Sequence, residues 1–207
     1  MLKYVIYSII ALVVIAGVIV GVHLYRMSAR KAREMAQYSI ANEAVNKDFG
    51  KVLVVYYSLS GRTRDIAERI QTKTNADIYE IKPVEDIKNS FSLYIKSKSD
   101  LKKGTYPALQ GNMPDIGRYD LVFVGSPIWW YTAATPVMAF LSKADFKGKK
   151  VVPFSTQGSN AGTFLEDFMK IAKNANVTGY QSFDNMGKEY DKAVDNKISI
   201  WLNSLIP

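Results

Sequence analysis

The feature that most constrains this chain is a run without an ionised side chain, Tyr4 to Leu24, reading YVIYSIIALVVIAGVIVGVHL, in which only Ser8 and His23 are clearly polar. At about 1.5 Å of rise per residue, a helix over this run covers roughly 30 Å, the thickness of a bilayer's hydrocarbon core. A buried core helix is normally shorter and shows a polar face. A cleavable signal peptide would explain Lys3 as a small basic n-region. Against it, the run is longer than a typical signal core, and Arg26, Arg30, Lys31 and Arg33 follow without a small-x-small cleavage site. The expectation is an uncleaved transmembrane anchor over residues 1–25. The four basic residues after the span outweigh Lys3 and the α-amino group before it, which puts the bulk of the chain on the cytoplasmic side of the cell membrane, behind a single pass.

Behind the anchor, a composition of 48% hydrophobic and 22% charged residues in 207 is that of an ordinary globular domain with chain enough for one core. There is no cysteine, and the one histidine, His23, closes the apolar run. Chemistry in the rest of the chain must therefore proceed without thiolate or imidazole. This excludes a Ser-His-Asp triad, a cysteine nucleophile, His- or Cys-ligated zinc and iron–sulfur clusters. No metal and no nucleic acid is expected as a partner.

Residues 26–50 read as a juxtamembrane linker. Met27 to Asp48, MSARKAREMAQYSIANEAVNKD, is rich in helix formers and lacks Gly and Pro, so it can continue the membrane helix as a stalk or lay its basic half on anionic headgroups. Gly50 ends it, and Lys51 opens a domain over 51–207.

From there strand and helix patterns alternate. KVLVVYY is a β-branched and aromatic run, followed by Ile66, Ala67 and Ile70 at helical spacing. ADIYEI is a second strand, with a helix over Ile87 to Leu101. LVFVGS is a third, with a helix around Ala139 and Leu141 after Pro136. VVPFST is a fourth, with a helix over Phe164, Leu165, Phe168 and Ile171. Val177 to Phe183 is a fifth, and a helix over Val194 to Leu205 follows it. Such alternation predicts an α/β fold with a five-stranded parallel sheet and helices on both faces. Pro153 has no N–H for a ladder and predicts a local irregularity or an edge position in the fourth strand.

In sheets of this kind ligands bind beyond the carboxyl ends of the strands, at the point where strand order reverses. Three sets of residues fall there: Ser58, Ser60, Gly61, Arg62 and Thr63; Gly125 to Tyr131, with three consecutive aromatics; and Ser155, Thr156, Gln157, Gly158 and Ser159. The first set lies at the mouth of a helix, where unpaired backbone N–H groups and the helix dipole favour an anion and the hydroxyls can donate to it. It is neither a Walker A loop nor a GxGxxG fingerprint. On these grounds alone a phosphate site and a helix simply capped by turn-forming serines both stand.

The string Val54 to Ile70, with Tyr56, Ser58, Gly61, Thr63, Ala67 and Ile70 at their spacing, resembles the FMN-binding signature of flavodoxins. GSPIWW with the following WYTAATPVMAFL, and KGKKVVPFSTQG, are similar to the second and third flavin loops of that family, more narrowly of members with a GxPIWW loop. The likeness runs in order from Lys51 to Leu205. It implies a sheet of order 2-1-3-4-5 with FMN at its switch point. It also implies that Ser58, Ser60, Gly61, Arg62 and Thr63 hold the phosphate, although Arg62 replaces the asparagine common there. Pro127, Ile128, Trp129 and Trp130 would line one side of the isoalloxazine, one tryptophan stacking on it, and Ser155, Thr156, Gln157 and Gly158 would meet its polar edge. Tyr94 is a further candidate to cover the site.

With no acid/base pair near these loops, no residue is expected to be catalytic, and the flavin would carry the redox chemistry. The resemblance then implies a membrane-anchored electron-transfer flavoprotein, served by a redox partner protein or NAD(P)H. The alternatives are an NAD(P)H-dependent FMN or quinone reductase and, from another class, a flavin-free scaffold, against which the intact phosphate loop speaks. The whole chain has a formal charge of +8, and from Lys51 onward there are 21 basic and 16 acidic residues. Flavodoxins that carry electrons are typically acidic, so this basic surface points to an acidic partner or to the anionic leaflet.

Overall fold

The computed structural model describes residues 2–40, 43–88, 90–184 and 187–205. It opens with one unbroken helix, α1 (Leu2–Ser39). Its described apolar residues from Tyr4 to Leu24 are exposed, none of them contributing to the folded core. The last third of α1 behaves differently: Met35 is buried, Tyr38 packs on the core, and Lys197 donates to Glu34 at 2.6 Å. Of the two expectations for this segment, the helical continuation holds. Its inner face docks onto the domain instead of standing free.

The sheet is built from β1 (Val52–Tyr56), β2 (Asp77–Glu80), β3 (Leu121–Trp129), β5 (Lys150–Gln157) and two short strands that share the far position, β6 (Asn176–Val177) and β7 (Gln181–Asp184). Its order, β2-β1-β3-β5-β6, and its parallel pairing are those expected. With β4 (Thr132–Ala133), which folds back antiparallel on β3, there are seven strands among the described residues where five were expected. The central strands are buried on both faces because successive residues serve opposite layers. Val52, Val54 and Tyr56 pack under α2 (Arg62–Thr74) and α6 (Asp191–Ser204). Leu53, Val55 and Tyr57 pack under α4 (Thr135–Lys143) and α5 (Phe164–Ile171), while α3 (Phe91–Lys103) lies at the edge of that layer.

Pro153 explains why the fifth position is split. It lies inside β5, opposite Val124 of β3, so it is an irregularity within the sheet and not at its edge. The amide of Thr178 donates to the carbonyl of Val151, which fixes that side of β5 toward β6. Backbone groups two residues apart in a strand point the same way, so the missing N–H of Pro153 also faces that side. Pairing stops there: β6 covers Lys150 and Val151, and β7 resumes at Phe154. Gly179, at φ +65°, makes the bend between them.

Candidate functional site

All three predicted loops meet at the carboxyl end of β1, β3 and β5. After β1 the chain turns through Ser58, Leu59 and Ser60 and enters α2 at Gly61, whose φ of +87° is left-handed and which faces open space. No side chain caps α2. Its first N–H groups are thus available to an anion, and the capping reading of these serines loses its support. Ser58 adds a second sign: its Oγ is buried and lacks a hydrogen-bond partner in the structure. Burying a hydroxyl unpaired costs about 1–3 kcal/mol, which a bound acceptor or donor would recover. Thr63 is buried, and its Oγ1 lies 2.8 Å from Thr156 Oγ1, tying the first loop to the third. Ser60 and Arg62 are on the exposed rim.

Around this helix mouth lie Asp65, Asp184 and Asp191, which would repel an anion if uncompensated. Two of them are compensated. Arg69 contacts Asp65 at 3.1 Å, Asp191 at 2.9 Å and Asp195 at 3.1 Å.

The second loop is less a loop than the sequence pattern suggests. β3 runs on through Pro127 and Ile128 to Trp129, then reverses at Trp130 and Tyr131 into β4. Both turn residues have positive φ, 53° and 67°. This is the backbone of a two-residue hairpin turn that normally takes Asn-Gly, so two aromatics are held there against their preference. What holds them is the neighbouring segment. Thr163 N donates to the Tyr131 carbonyl at 2.8 Å, and Gly162 (φ +57°) lies so close that a Cβ would sit 2.3 Å from that oxygen. Asp167 accepts from Thr132 at 2.8 Å and Thr163 at 2.7 Å. Burial works against its charge, but these hydrogen bonds and Lys170 hold its carboxyl below the ordinary range.

The tryptophans divide as the turn dictates. Trp129 meets Tyr57 edge-on at 5.8 Å. Trp130 lies against Tyr94 with ring centroids 4.0 Å apart, donates to Ser97 at 3.1 Å and has Lys98 over its face. Tyr57 is pushed up to about 12, first by burial and then by Asp86 and Glu80, so it stays a neutral phenol. Tyr94, Trp129, Trp130, Tyr131 and residues 157–160 wall a cleft of about 360 Å³, in the size range of small-molecule sites.

Of the third set, Ser155, Thr156 and Gln157 belong to β5 itself and are buried; Gly158 and Ser159 are beyond the strand and exposed. They form a chain: Tyr180 hydroxyl to Ser155 Oγ at 2.7 Å, Ser155 to Gln157 Oε1 at 2.9 Å, and Gln157 Nε2 to Asp184 Oδ1 at 3.2 Å. Burial raises Tyr180 from its usual range, and Ser155 opposes this. The Gln157 carboxamide is thereby locked in one orientation at the cleft. Tyr57, Ser97, Tyr180 and Asp184 were not singled out from the sequence. Asp184 ends β7, so the rule that residues at carboxyl ends of strands form the site also covers it. Ser97 and Tyr180 carry no local signal.

Among the described residues no group of acidic or histidine side chains could hold a metal. The donor set is hydroxyls, amide groups and aromatic faces. It suits a ligand with an anionic end and a flat ring system.

Residues 51–202 match the family model described as Flavodoxin. A crystal structure of a flavoprotein in complex with FMN from Lactobacillus acidophilus is 24% identical, with a TM-score of 0.61 over 73% of this chain and 97% of that one. Candidate flavoproteins from Bacteroides eggerthii (28% identical, TM-score 0.60, covering 72% of this chain and 96% of that one) and Bacteroides uniformis (26%, 0.61, 73% and 99%) share the fold as well. Among curated proteins, none matches the sequence significantly. A parallel β2-β1-β3-β5 sheet with its loops gathered around an uncapped helix mouth, together with a family match over 51–202, shows that the chain belongs to the flavodoxin family.

Proposed function

We propose that this protein is a flavodoxin that transfers electrons through bound FMN while anchored to the cell membrane by α1, with its α/β domain on the cytoplasmic side. The observation that carries the reading is the pairing of a buried, unpartnered Ser58 hydroxyl with an uncapped α2, in a loop whose Leu59 also lines the aromatic-walled cleft. The residues fit FMN: Ser58, Ser60, Gly61, Arg62 and Thr63 would hold its phosphate, Pro127 to Trp130 would flank the ring, and Ser155 to Gly158 would meet its polar edge. FMN supplies the reversible redox chemistry, which the side chains around the cleft cannot. The protein's part is to bind, to orient the ring through the Gln157 carboxamide, and to exclude water with the Trp130–Tyr94 pair. Electrons come from a redox partner protein or NAD(P)H, and the excess of basic residues favours an acidic partner.

A second reading, an NAD(P)H-dependent FMN or quinone reductase, is favoured by one contact. Arg30 of α1, six residues beyond the apolar run, donates to the carbonyl of Ser159 on the cleft wall, which brings the cleft near lipid-dissolved acceptors.

The test is a visible absorption spectrum of the purified protein after FMN addition and desalting, followed by NADPH and then NADH without oxygen. Retained flavin that bleaches only with an added reductase or dithionite supports the carrier; direct bleaching by a nicotinamide supports the reductase. Loss of all flavin on desalting would count against both.

A further inference from the structure

The basic residues that follow the apolar run are not used by the flavin site. His23, Arg26, Met27, Arg30 and Lys31 recur at three- and four-residue spacing, so they share one face of α1. That face lines a groove whose opposite wall is Gly158, Ser159, Asn160 and Asp184. Arg30 spans it, donating to the Ser159 carbonyl at 3.4 Å and lying 4.0 Å from the Asp184 carboxylate, with its side chain still 70% exposed. Arg26, Arg30 and Lys31 set three positive charges against the one carboxylate of Asp184, so the groove attracts anions. Its depth is fixed by the helix. Arg26 and Lys31 lie two and seven residues past Leu24, roughly 3 to 10 Å beyond the hydrocarbon edge. This is the headgroup layer.

The geometry points to a binding site, in this groove, for the phosphate of an anionic phospholipid headgroup, held by Arg26 and Lys31 with Arg30 as the bridge to the domain. The site rests on the anchor reading above. Because Gly158 to Asn160 also wall the flavin cleft, lipid bound here orders that loop from its outer side.

The test uses the full chain in nanodiscs of phosphatidylcholine alone and of phosphatidylcholine with phosphatidylglycerol, reading amide hydrogen exchange at Gly158 to Asn160. Exchange is expected to be about tenfold slower in the anionic discs, as for a ligand at some ten times its Kd. The slowing should vanish in the Arg26→Gln/Lys31→Gln variant, which keeps the Arg30 contacts, and persist in Arg33→Gln, whose side chain is outside the groove. Equal exchange in the two discs, or slowing that survives the double variant, overturns the site. Slowing produced in neutral discs by inorganic phosphate also overturns it, by assigning the groove to a soluble anion. Loss of the chain from both discs on a salt wash would sink the anchor reading and the lipid site together. Retention in both with equal exchange removes the lipid site alone.

Discussion

Ser58 and Thr63 are both hydroxyl residues of the first loop, yet the structure gives them different work. Ser58 Oγ is buried without a partner, so Ser58→Ala removes an unsatisfied group from the flavin-free protein. Its stability to urea should stay level or rise slightly, while FMN binding should weaken by about 1.5–3 kcal/mol, the worth of a hydrogen bond to a charged group. Isothermal titration and urea melts of the same variant check both signs; a loss of apo stability would mean Ser58 is structural. Thr63 is already bonded to Thr156, so Thr63→Val should cost the apo protein about 1 kcal/mol by stranding that partner, and should weaken FMN binding by about 1–3 kcal/mol if the hydroxyl also meets the phosphate. What the sequence made legible in the first set was a cluster of hydroxyls at a strand-to-helix turn, with anion binding and helix capping as two open uses; the absence of a side-chain cap on α2 comes from the structure. Which hydroxyl is spoken for was not legible: Thr156 is 93 positions away from Thr63 in the chain.

At the scale of elements, the strand and helix alternation was readable wherever apolar residues served two buried layers, as in Val52 to Tyr57. The β3–β4 hairpin was hidden because its turn is Trp130-Tyr131, without the glycine or asparagine that announces such a turn, and is imposed by contacts with 162–167. The double strand β6 and β7 was hidden because a proline on β5 causes it from the other side of the ladder. If the hairpin is held from outside, Gly162→Ala should release it: a Cβ there would meet the Tyr131 carbonyl at 2.3 Å, on a backbone of φ +57°. We expect a loss of about 2–3 kcal/mol in urea melts and weaker FMN binding, with the change in Trp fluorescence reporting movement of Trp130. Asp167 acts on the same hairpin and gives it a pH dependence. Its carboxyl titrates lower in the fold than in the unfolded chain, so its contribution is present above the unfolded value and is lost as pH falls through the folded one. The stability gap between the wild type and Asp167→Asn should therefore be constant above roughly pH 5 and should close below about pH 4. A gap that stayed open in acid would mean that the hydrogen-bonding geometry, not the charge, holds the hairpin.

For the molecule as a whole, the question is where the domain ends and the membrane segment begins, and the energetics divide α1 more sharply than its continuous helix does. Up to Leu24 its described apolar side chains are exposed and none joins the folded core; from Arg30 onward the helix is bound into the domain, through Ser159, Asp184, Asn196 and Lys197. Lys197 is 4% exposed, and its ammonium is satisfied by Glu34 at 2.6 Å and the Ser182 carbonyl at 2.9 Å. None of this can be read from residues 26–50, because their partners lie 129 to 163 positions away, on the loop after β5, the end of β7 and α6, and a helix face with Glu34 and Tyr38 looks like any solvated stripe. Two truncations separate the parts. Removing residues 1–25 should leave a monodisperse domain that binds FMN as tightly as the full chain and melts at the same urea concentration, since no docking contact is lost. Removing residues 1–50 takes away Glu34 and the buried Met35, stranding Lys197 against the sheet, and should cost about 2–4 kcal/mol. If the shorter deletion alone prevents folding, the apolar run belongs to the core and every membrane reading falls. If the two proteins melt alike, the second half of α1 is a stalk that only rests on α6, and the route from the headgroup layer through Arg30 to the flavin loop has no structural support.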